Sequence, residues 1–277
     1  MTGIGEILFG RYRIDAHVGD HDGVQLYRGS DLHALAPIHI KLWPRDEDPV
    51  EALLEGEAMA AVRHPRVVRL VDFGLHEGRQ PCLVLEGVRG QTLTDRLKAG
   101  PLSFPEAFEL GAKVLEALAV LHDEGLVHGN VTPDDVVLLP SGEIKLTGLS
   151  HVAFESAGDE PIALDPREAL VQPQYKAPEQ LAGTGCRPSA DLYALGVVLC
   201  EAIMGENPFA DEPLDVGARV AFRPELDELP VAARFALDRM TRASMLHRET
   251  DARQCARRLR EAVAVTSRPH GLALAGS

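Results

Sequence analysis

The stretch LVHGNVTPDDVVLLPSGEIKLTGLS, residues 126–150, decides how the fold of this chain is interpreted. Two short apolar runs flank Ser141-Gly142, and this arrangement predicts two short strands joined by a turn. The segment before the strands is polar and contains His128 and the pair Asp134-Asp135. Such side chains either take part in chemistry or belong to an ordinary solvated loop, and the rest of the chain has to decide between the two.

The composition of the chain limits its class. With 277 residues, of which 45% are hydrophobic, the chain is long enough for one large domain or two lobes. Its formal net charge of −14 argues against nucleic acid or an anionic membrane as a partner. The four cysteines form no CxxC pair, which predicts a reduced, cytoplasmic protein without a zinc site. The sequence also shows neither a secretory signal nor an apolar run long enough to span a bilayer.

The first part of the chain has the pattern of a small β-rich lobe. The predicted elements are three strands within residues 12–43, a helix over residues 48–63, and strands over Val67–Phe73 and Pro81–Glu86. The dipeptide His64-Pro65 ends the helix. We therefore expect an N-terminal extension at residues 1–11 and an N-lobe over residues 12–87.

The remainder of the chain is mainly helical. The predicted helices cover Thr92–Lys98, Ser103–Glu124, Ser189–Met204, Pro230–Met245 and Asp251–Val265. The second of them begins with Ser-Phe-Pro-Glu, a start typical of a capping box. We expect a C-lobe over residues 88–265 and a flexible tail over residues 266–277.

Five motifs occur in a fixed order along the chain. They are IHIK (38–41), LVLEGV (83–88), LVHGNVTPDDVVLL (126–139), YKAPEQ (175–180) and SADLYALGVVLCEAIMGENPF (189–209). In this order they resemble the eukaryotic-type protein kinase domain that bacteria also carry, over about residues 12–264. The resemblance implies an α+β, bilobal, kinase-like fold with a small β-rich N-lobe and a mainly helical C-lobe.

The resemblance also implies where a nucleotide would bind. Lys41 takes the place of the phosphate-contacting lysine, and Glu55 takes the place of its partner on the following helix. The other candidate residues of a nucleotide cleft are Gly19, Leu26, Glu86 and Val88. In the glycine-rich loop of the family, however, only Gly19 is retained, and Asp22-Gly23 favours a simple hairpin turn.

The residues expected to perform phosphoryl transfer differ from those of the family. Asn130 replaces the catalytic aspartate, Thr132 the loop lysine and Gly129 the loop arginine. Gly148 replaces the metal-binding aspartate and offers no side-chain ligand. Asp135 replaces the metal-binding asparagine and is a weak candidate for a metal ligand. Because an amide is not a usable base near neutral pH, the pattern predicts no intact catalytic site.

Other positions of the family are retained for structural reasons. His128 and Leu149 belong to the column of side chains that the resemblance places between the lobes, and Asp191 is expected to hold the backbone of the loop at residues 128–130. Glu179 is expected to pair with a late arginine, either Arg248 or Arg253. The segment over residues 151–170 is acidic, and its only serine, threonine or tyrosine is Ser156.

These departures lead to a functional hypothesis. The chain is interpreted as a pseudokinase, not an enzyme, which acts as a scaffold or regulatory module for an unidentified protein partner without nucleic acid or membrane. No cofactor is required on this view, and no magnesium-dependent ATP binding is expected. The alternative is a nucleotide-binding pseudokinase or an atypical transferase that uses the kinase cleft with non-standard residues.

Overall fold

The computed structural model describes residues 3–21, 23–45, 49–149, 153–154, 172–211, 214 and 229–266. The chain forms two compact units. The first unit contains Met1–Gln91 and Val137–Ser150, and the second unit contains Thr92–Val136 and His151–Ser277.

A six-stranded antiparallel sheet forms the body of the first unit. Its strands are β1 (Ile7–Leu8), β2 (Tyr12–His21), β3 (Val24–Asp31), β4 (Ala36–Leu42), β5 (Leu70–His76) and β6 (Gln80–Glu86), in the spatial order β1-β2-β3-β4-β6-β5. Successive residues of a strand point to opposite faces. In β4, therefore, Ile38, Ile40 and Leu42 join the buried core, while His39 and Lys41 lie on the other face.

The helix of the first unit packs closely against the sheet. This helix, α1, spans Val50–Ala61 and contacts β5. Gly56 lies on its buried side, and a Cβ atom at this position would come within 2.6 Å of Cγ of Phe73. The absence of a side chain at residue 56 thus sets the distance between helix and sheet.

Helices make up most of the second unit. They are α2 (Leu93–Leu97), α3 (Phe104–Asp123), α4 (Pro178–Leu181), α5 (Pro188–Met204), α6 (Val231–Met240) and α7 (Ala252–Thr266). The predicted capping box begins α3, because the backbone N–H of Ser103 donates to Glu106 Oε2 at 3.0 Å. Nearly every residue of α5 is buried, which is why its sequence shows little amphipathic pattern, and α5 packs against α3 and α6.

The structure confirms the predicted α+β architecture, and several elements differ from the predicted ones. The strand expected over Val67–Phe73 runs over Leu70–His76. The extension expected at residues 1–11 contains strand β1, whose Leu8 is fully buried. A strand of two residues shows no periodicity in sequence, so it was missed. The helix expected over Pro230–Met245 ends at Met240. The N-lobe expected over residues 12–87 does not include Val137–Ser150, which the structure groups with the first unit.

Among the described residues, no helix combines the length and the apolar character needed to cross a membrane.

Substituting Gly56 by alanine tests the close packing of α1. Alanine is favoured over glycine within a helix by about 1 kcal/mol, but overpacking against Phe73 costs about 1–3 kcal/mol. We expect Gly56→Ala to lower the free energy of unfolding by about 1 kcal/mol, measured by urea denaturation. Gly19→Ala is the control, because a Cβ atom there meets nothing within 4 Å, and its free energy should change by less than about 0.5 kcal/mol. A stabilised Gly56→Ala variant would contradict the packing described above.

Candidate active site

A buried ion pair joins the sheet of the first unit to its helix. The ammonium of Lys41, on β4, donates to Glu55 Oε1 on α1 at 2.6 Å, and the two side chains are only 6% and 9% exposed. The same ammonium lies 4.7 Å from the ring centroid of Trp43. Burial of two charges is tolerated when the pair is well aligned and hydrogen-bonded, so this geometry holds a cation at a fixed place in the sheet.

Two of the candidate cleft residues lie in line with Lys41 across the sheet. In the ladder of strands, Gly19 pairs with Leu26, and Leu26 pairs with Lys41. His21 pairs with Val24, and Gly23 has a φ of +82°. The predicted tight hairpin is therefore present where the family has its glycine-rich loop.

The remaining candidate residues of the first unit are arranged differently. The Glu86 carboxylate is bonded to Lys145 and accepts a hydrogen bond from the backbone N–H of Arg69. Because Glu86 lies opposite Ile38 in the ladder, its side chain belongs to the other face from Lys41. Val88 follows the end of β6. The structure thus does not bring the side chain of Glu86 to Lys41.

Two neighbouring residues end the described part of the first unit. Gly148 adopts a left-handed backbone conformation with φ +74°, and Leu149 is 3% exposed. No side-chain ligand is available at Gly148, as the sequence already indicates.

In the second unit, one carboxylate holds the loop at residues 128–130. Asp191, on α5, accepts hydrogen bonds from the backbone N–H of His128 at 2.9 Å and of Gly129 at 2.8 Å. Its Oδ2 also lies 2.8 Å from Nε2 of His122. Asp191 and His128 are both buried, so these bonds satisfy groups that water does not reach. The arrangement is the one expected for Asp191 from the sequence.

The carbonyl of Gly129 is held from the opposite side. It accepts hydrogen bonds from Nζ of Lys176 at 3.0 Å and from Nε2 of Gln180 at 2.8 Å. The φ of Gly129 is +73°, in the left-handed region that glycine adopts without a steric penalty. Sequence analysis did not identify Lys176 or Gln180; a lysine in the YKAPEQ motif was the only signal.

Asn130 is buried, with 7% exposure, and only the nitrogen of its side-chain amide makes a hydrogen bond to another described residue. Nδ2 donates to Oε1 of Gln172 at 3.3 Å. No group of the described residues donates to Oδ1, which is buried as well. An amide so placed can accept a hydrogen bond, but it does not take up a proton near neutral pH.

Thr132 and Asp135 form a local hydrogen-bonded turn. Asp135 Oδ2 accepts from the Thr132 backbone N–H at 3.0 Å and from its hydroxyl at 2.7 Å. Enclosure of the carboxyl group raises the pKa of Asp135 to about 6, although His128 and the bonds from Thr132 oppose the increase. Asp135 is thus a carboxylate at pH 7 that a nearby cation would stabilise.

The partner of Glu179 is Arg248. The guanidinium donates to both carboxylate oxygens, at 2.5 and 2.9 Å, and lies 4.9 Å from the ring centroid of Tyr193. Arg253, the other candidate, pairs with Asp123 at the surface. Both pairs are bidentate, but only Arg248 and Glu179 are buried, so this pair is the one that ties α4 to the segment before α7.

The predictions for residues 151–170, including Ser156, lie outside the described residues except for Ala153–Phe154, a short strand that pairs with Leu126–Val127.

Comparison with known proteins identifies the family. The family model described as "Protein kinase domain" matches residues 29–259 of this chain. Since this is well over half of the chain, the chain belongs to the protein kinase domain family.

The curated relatives that it resembles are named as bacterial kinases. The chain is 31% identical to "Serine/threonine-protein kinase pkn2" of Myxococcus xanthus over 75% of this chain and 26% of that protein. It is 31% identical to "Serine/threonine-protein kinase PknA" of Mycobacterium tuberculosis over 76% of this chain and 50% of that protein. It is 27% identical to "Probable serine/threonine-protein kinase PknB" of Lactococcus lactis over 91% and 42% of the two chains. This chain therefore spans half or less of the length of these relatives.

These findings correct the functional hypothesis drawn from the sequence. The interpretation as an inactive scaffold that is not an enzyme is wrong, because the family and the names of the relatives point to serine/threonine protein kinases. The expectation that no cofactor is required is wrong for the same reason, since the family normally uses ATP and magnesium. The substitutions at Asn130, Thr132 and Gly148 remain facts of the sequence, but they do not establish loss of activity.

The described residues supply the smallest number of carboxylate ligands with which magnesium is commonly bound. Magnesium is commonly held by one or two carboxylates together with the phosphates of the substrate. Asp135 supplies one enclosed carboxylate, whose pKa is raised by burial, and a carboxylate oxygen is a ligand that magnesium accepts. Asp135 is the residue that would hold the ion, whose role when bound is to neutralise charge on the transferring phosphoryl group.

The choice between Arg248 and Arg253 can be tested by unfolding. Arg248→Ala leaves Glu179 as a buried unpaired carboxylate, so we expect the free energy of unfolding to fall by about 3–5 kcal/mol. Arg253→Ala breaks a pair whose side chains are 51% and 52% exposed, and the loss should stay below about 1 kcal/mol. Equal losses in the two variants, measured by urea denaturation, would refute the assignment.

The raised pKa of Asp135 predicts a pH dependence of stability. The folded protein binds the Asp135 proton more tightly than the unfolded chain, in which the pKa of this group is 3.8. The free energy of unfolding that Asp135 contributes therefore falls as pH rises from about 4 through about 6. We expect the difference between the wild type and Asp135→Asn to change over this range in metal-free buffer. A difference that stays constant from pH 4 to pH 8, in paired denaturation curves, would show that the pKa is not raised.

Proposed function

We propose that this chain is a protein kinase domain that transfers the terminal phosphoryl group of ATP to serine or threonine hydroxyls. Family membership and the kinase names of the relatives support this proposal. The proposed reaction uses a non-standard set of side chains, so its rate is expected to be low.

The ion pair of Lys41 and Glu55 is the observation that carries the proposal. A buried ammonium, fixed by a carboxylate at 2.6 Å and by the face of Trp43, is a costly arrangement for stability alone. In kinases the corresponding pair has to be formed for activity. This pair supports the proposal, in which the Lys41 ammonium is the cation that contacts the phosphates of ATP.

The amide of Asn130 is compatible with slow transfer. Phosphoryl transfer in kinases depends mainly on positioning and on electrostatic stabilisation, with little covalent chemistry left for the protein. Replacing a general base by an amide removes a contribution of about 10²–10⁴-fold, but it leaves the positioning of the acceptor hydroxyl available. We therefore place Asn130 at the acceptor and Asp135 at the metal ion.

A protein substrate is the partner that this function implies, and its identity is open to experiment. A cytoplasmic location is part of the proposal, and it is supported by four cysteines that are buried and form no disulfide.

The decisive experiment is phosphoryl transfer by the purified chain. We expect label from γ-labelled ATP to reach serine or threonine of a general acceptor protein in the presence of magnesium, with the modified sites identified by mass spectrometry. Lys41→Ala should reduce the rate by about 10²-fold or more, because the phosphate-binding cation is lost.

The matched control is Lys98→Ala, which removes one lysine whose side chain is 72% exposed and donates to Asp95 Oδ1 at 2.7 Å. Its rate should equal that of the wild type. Transfer by the wild type that does not exceed transfer by Lys41→Ala would overturn the proposed function, since contaminating kinases would then account for the label.

A further inference from the structure

Three side chains of the second unit form a hydrogen-bonded row that ends at Asn130. Gln172 Nε2 donates to Asp134 Oδ2 at 3.4 Å, and Gln172 Oε1 accepts from Asn130 Nδ2 at 3.3 Å. Gln172 is half-buried, Asp134 is exposed and Asn130 is buried. The row therefore runs from a charged group at the surface to the buried amide in the loop.

The chemistry of the row fixes its direction. The oxygen and nitrogen of an amide side chain are hard to distinguish by shape, and the hydrogen-bond network has to assign them. An ionised carboxylate only accepts hydrogen bonds, so Gln172 must turn its NH₂ group to Asp134. Its carbonyl oxygen then faces Asn130, which in turn must present its own NH₂ group to Gln172.

This direction determines what Asn130 offers on its other side. Oδ1 is the end that is left, and no described residue donates to this buried atom. A buried acceptor without a donor is unfavourable, and a hydroxyl group is the kind of donor that relieves it. With the opposite orientation, Asn130 would present two N–H donors instead, which suit a hydroxyl proton poorly.

The backbone of Gln172 adds an independent observation. Its φ is +46°, in the left-handed region that a residue with a long side chain seldom adopts. Such strained residues are held in place by the surrounding structure and cluster at functional sites. Here the conformation directs the amide of Gln172 between Asp134 and Asn130.

We infer that Gln172 is a positioning residue, which orients the Asn130 amide so that Oδ1 accepts the hydrogen bond of the substrate hydroxyl. The inference rests on the proposed kinase function and specifies how that function selects its acceptor. Asp134 accepts a hydrogen bond from Gln172, and Gln172 accepts one from Asn130, so the orientation of each amide is set by its neighbour in the row. The hydroxyl oxygen is thereby directed towards the γ-phosphorus. The bond between this oxygen and phosphorus forms while the bond from phosphorus to ADP breaks, ADP leaves, and the hydroxyl proton passes to an oxygen of the transferred phosphoryl group because Asn130 cannot take it up.

Three substitutions of Gln172 distinguish its role in orienting the Asn130 amide from the effect of its side-chain size. Gln172→Glu keeps an acceptor for Asn130 Nδ2, so the orientation of that amide is retained. The variant gives up the donor to Asp134, but Asp134 is exposed and water screens the repulsion between the two carboxylates. Gln172→Lys offers only donors, which turns Asn130 Oδ1 towards residue 172 and consumes the acceptor. Gln172→Ala removes both bonds. Gln174→Ala, two residues away, is the control for a glutamine lost from the same segment.

The kinetic readout is kcat set against the KM values for ATP and for the acceptor peptide. We expect kcat to fall roughly 10²-fold in Gln172→Lys and roughly tenfold in Gln172→Ala, in proportion to the misplacement of the hydroxyl. Gln172→Glu and Gln174→Ala should stay within about twofold of the wild type, and KM for ATP should not change in any variant. A purely structural role would affect Gln172→Glu and Gln172→Lys equally, together with their thermal midpoints, and that result would overturn the inference.

A second readout does not depend on activity. The side-chain NH₂ signals of Asn130, resolved by NMR with selective labelling, report whether Nδ2 is hydrogen-bonded. We expect these signals to keep their positions in Gln172→Glu and to shift in Gln172→Ala and Gln172→Lys. Unchanged signals in all three variants would overturn the positioning role even in an active enzyme. If the signals shift as expected but the wild type transfers no phosphoryl group, the proposed function fails while the orientation of Asn130 by Gln172 stands.

Discussion

The buried carboxylate of Asp191 is the constraint on which the rest of the second unit depends. Both of its oxygens are engaged, with the backbone N–H groups of His128 and Gly129 and with the ring of His122, and the residue is only 1% exposed. An acceptor supplied by α5 therefore dictates the path of the loop through its backbone. The side chains of the loop are free to differ without changing that path, which explains how Asn130 and Thr132 occupy a loop of this shape.

This constraint also explains which parts of the structure can be predicted from sequence. Buried elements carry patterns that physical chemistry imposes, such as the alternation in β4, the capping box at Ser103 and the apolar run of α5. Partners far apart in sequence carry no such pattern. Nothing in the sequence distinguishes Arg248 from Arg253, because the choice depends on which of them is enclosed beside Glu179. The contact of Gln172 with Asn130 is fixed by tertiary packing in the same way.

The functional hypothesis failed for a different physical reason. It treated each missing group as indispensable and each position as independent of the others. Loss of the base raises the activation barrier by the contribution of one residue. The positioning of the reactants, however, depends on the whole network of side chains. Asn130 illustrates the difference, because its amide lacks the basicity of a carboxylate but retains an acceptor whose direction Gln172 and Asp134 define. A residue-by-residue comparison registers the first property and cannot register the second.

Gly129 shows how a substitution can be part of a new arrangement. Its N–H is held by Asp191, its carbonyl by Lys176 and Gln180, and its φ of +73° is one that glycine adopts without strain. In place of an arginine that reaches outward, the loop has a backbone tied at both ends. Lys176 is 3% exposed, so its ammonium also brings a positive charge to the residue that precedes Asn130. Because electrostatic interactions strengthen where water is excluded, the buried hydrogen bond from this ammonium holds the Gly129 carbonyl firmly in place.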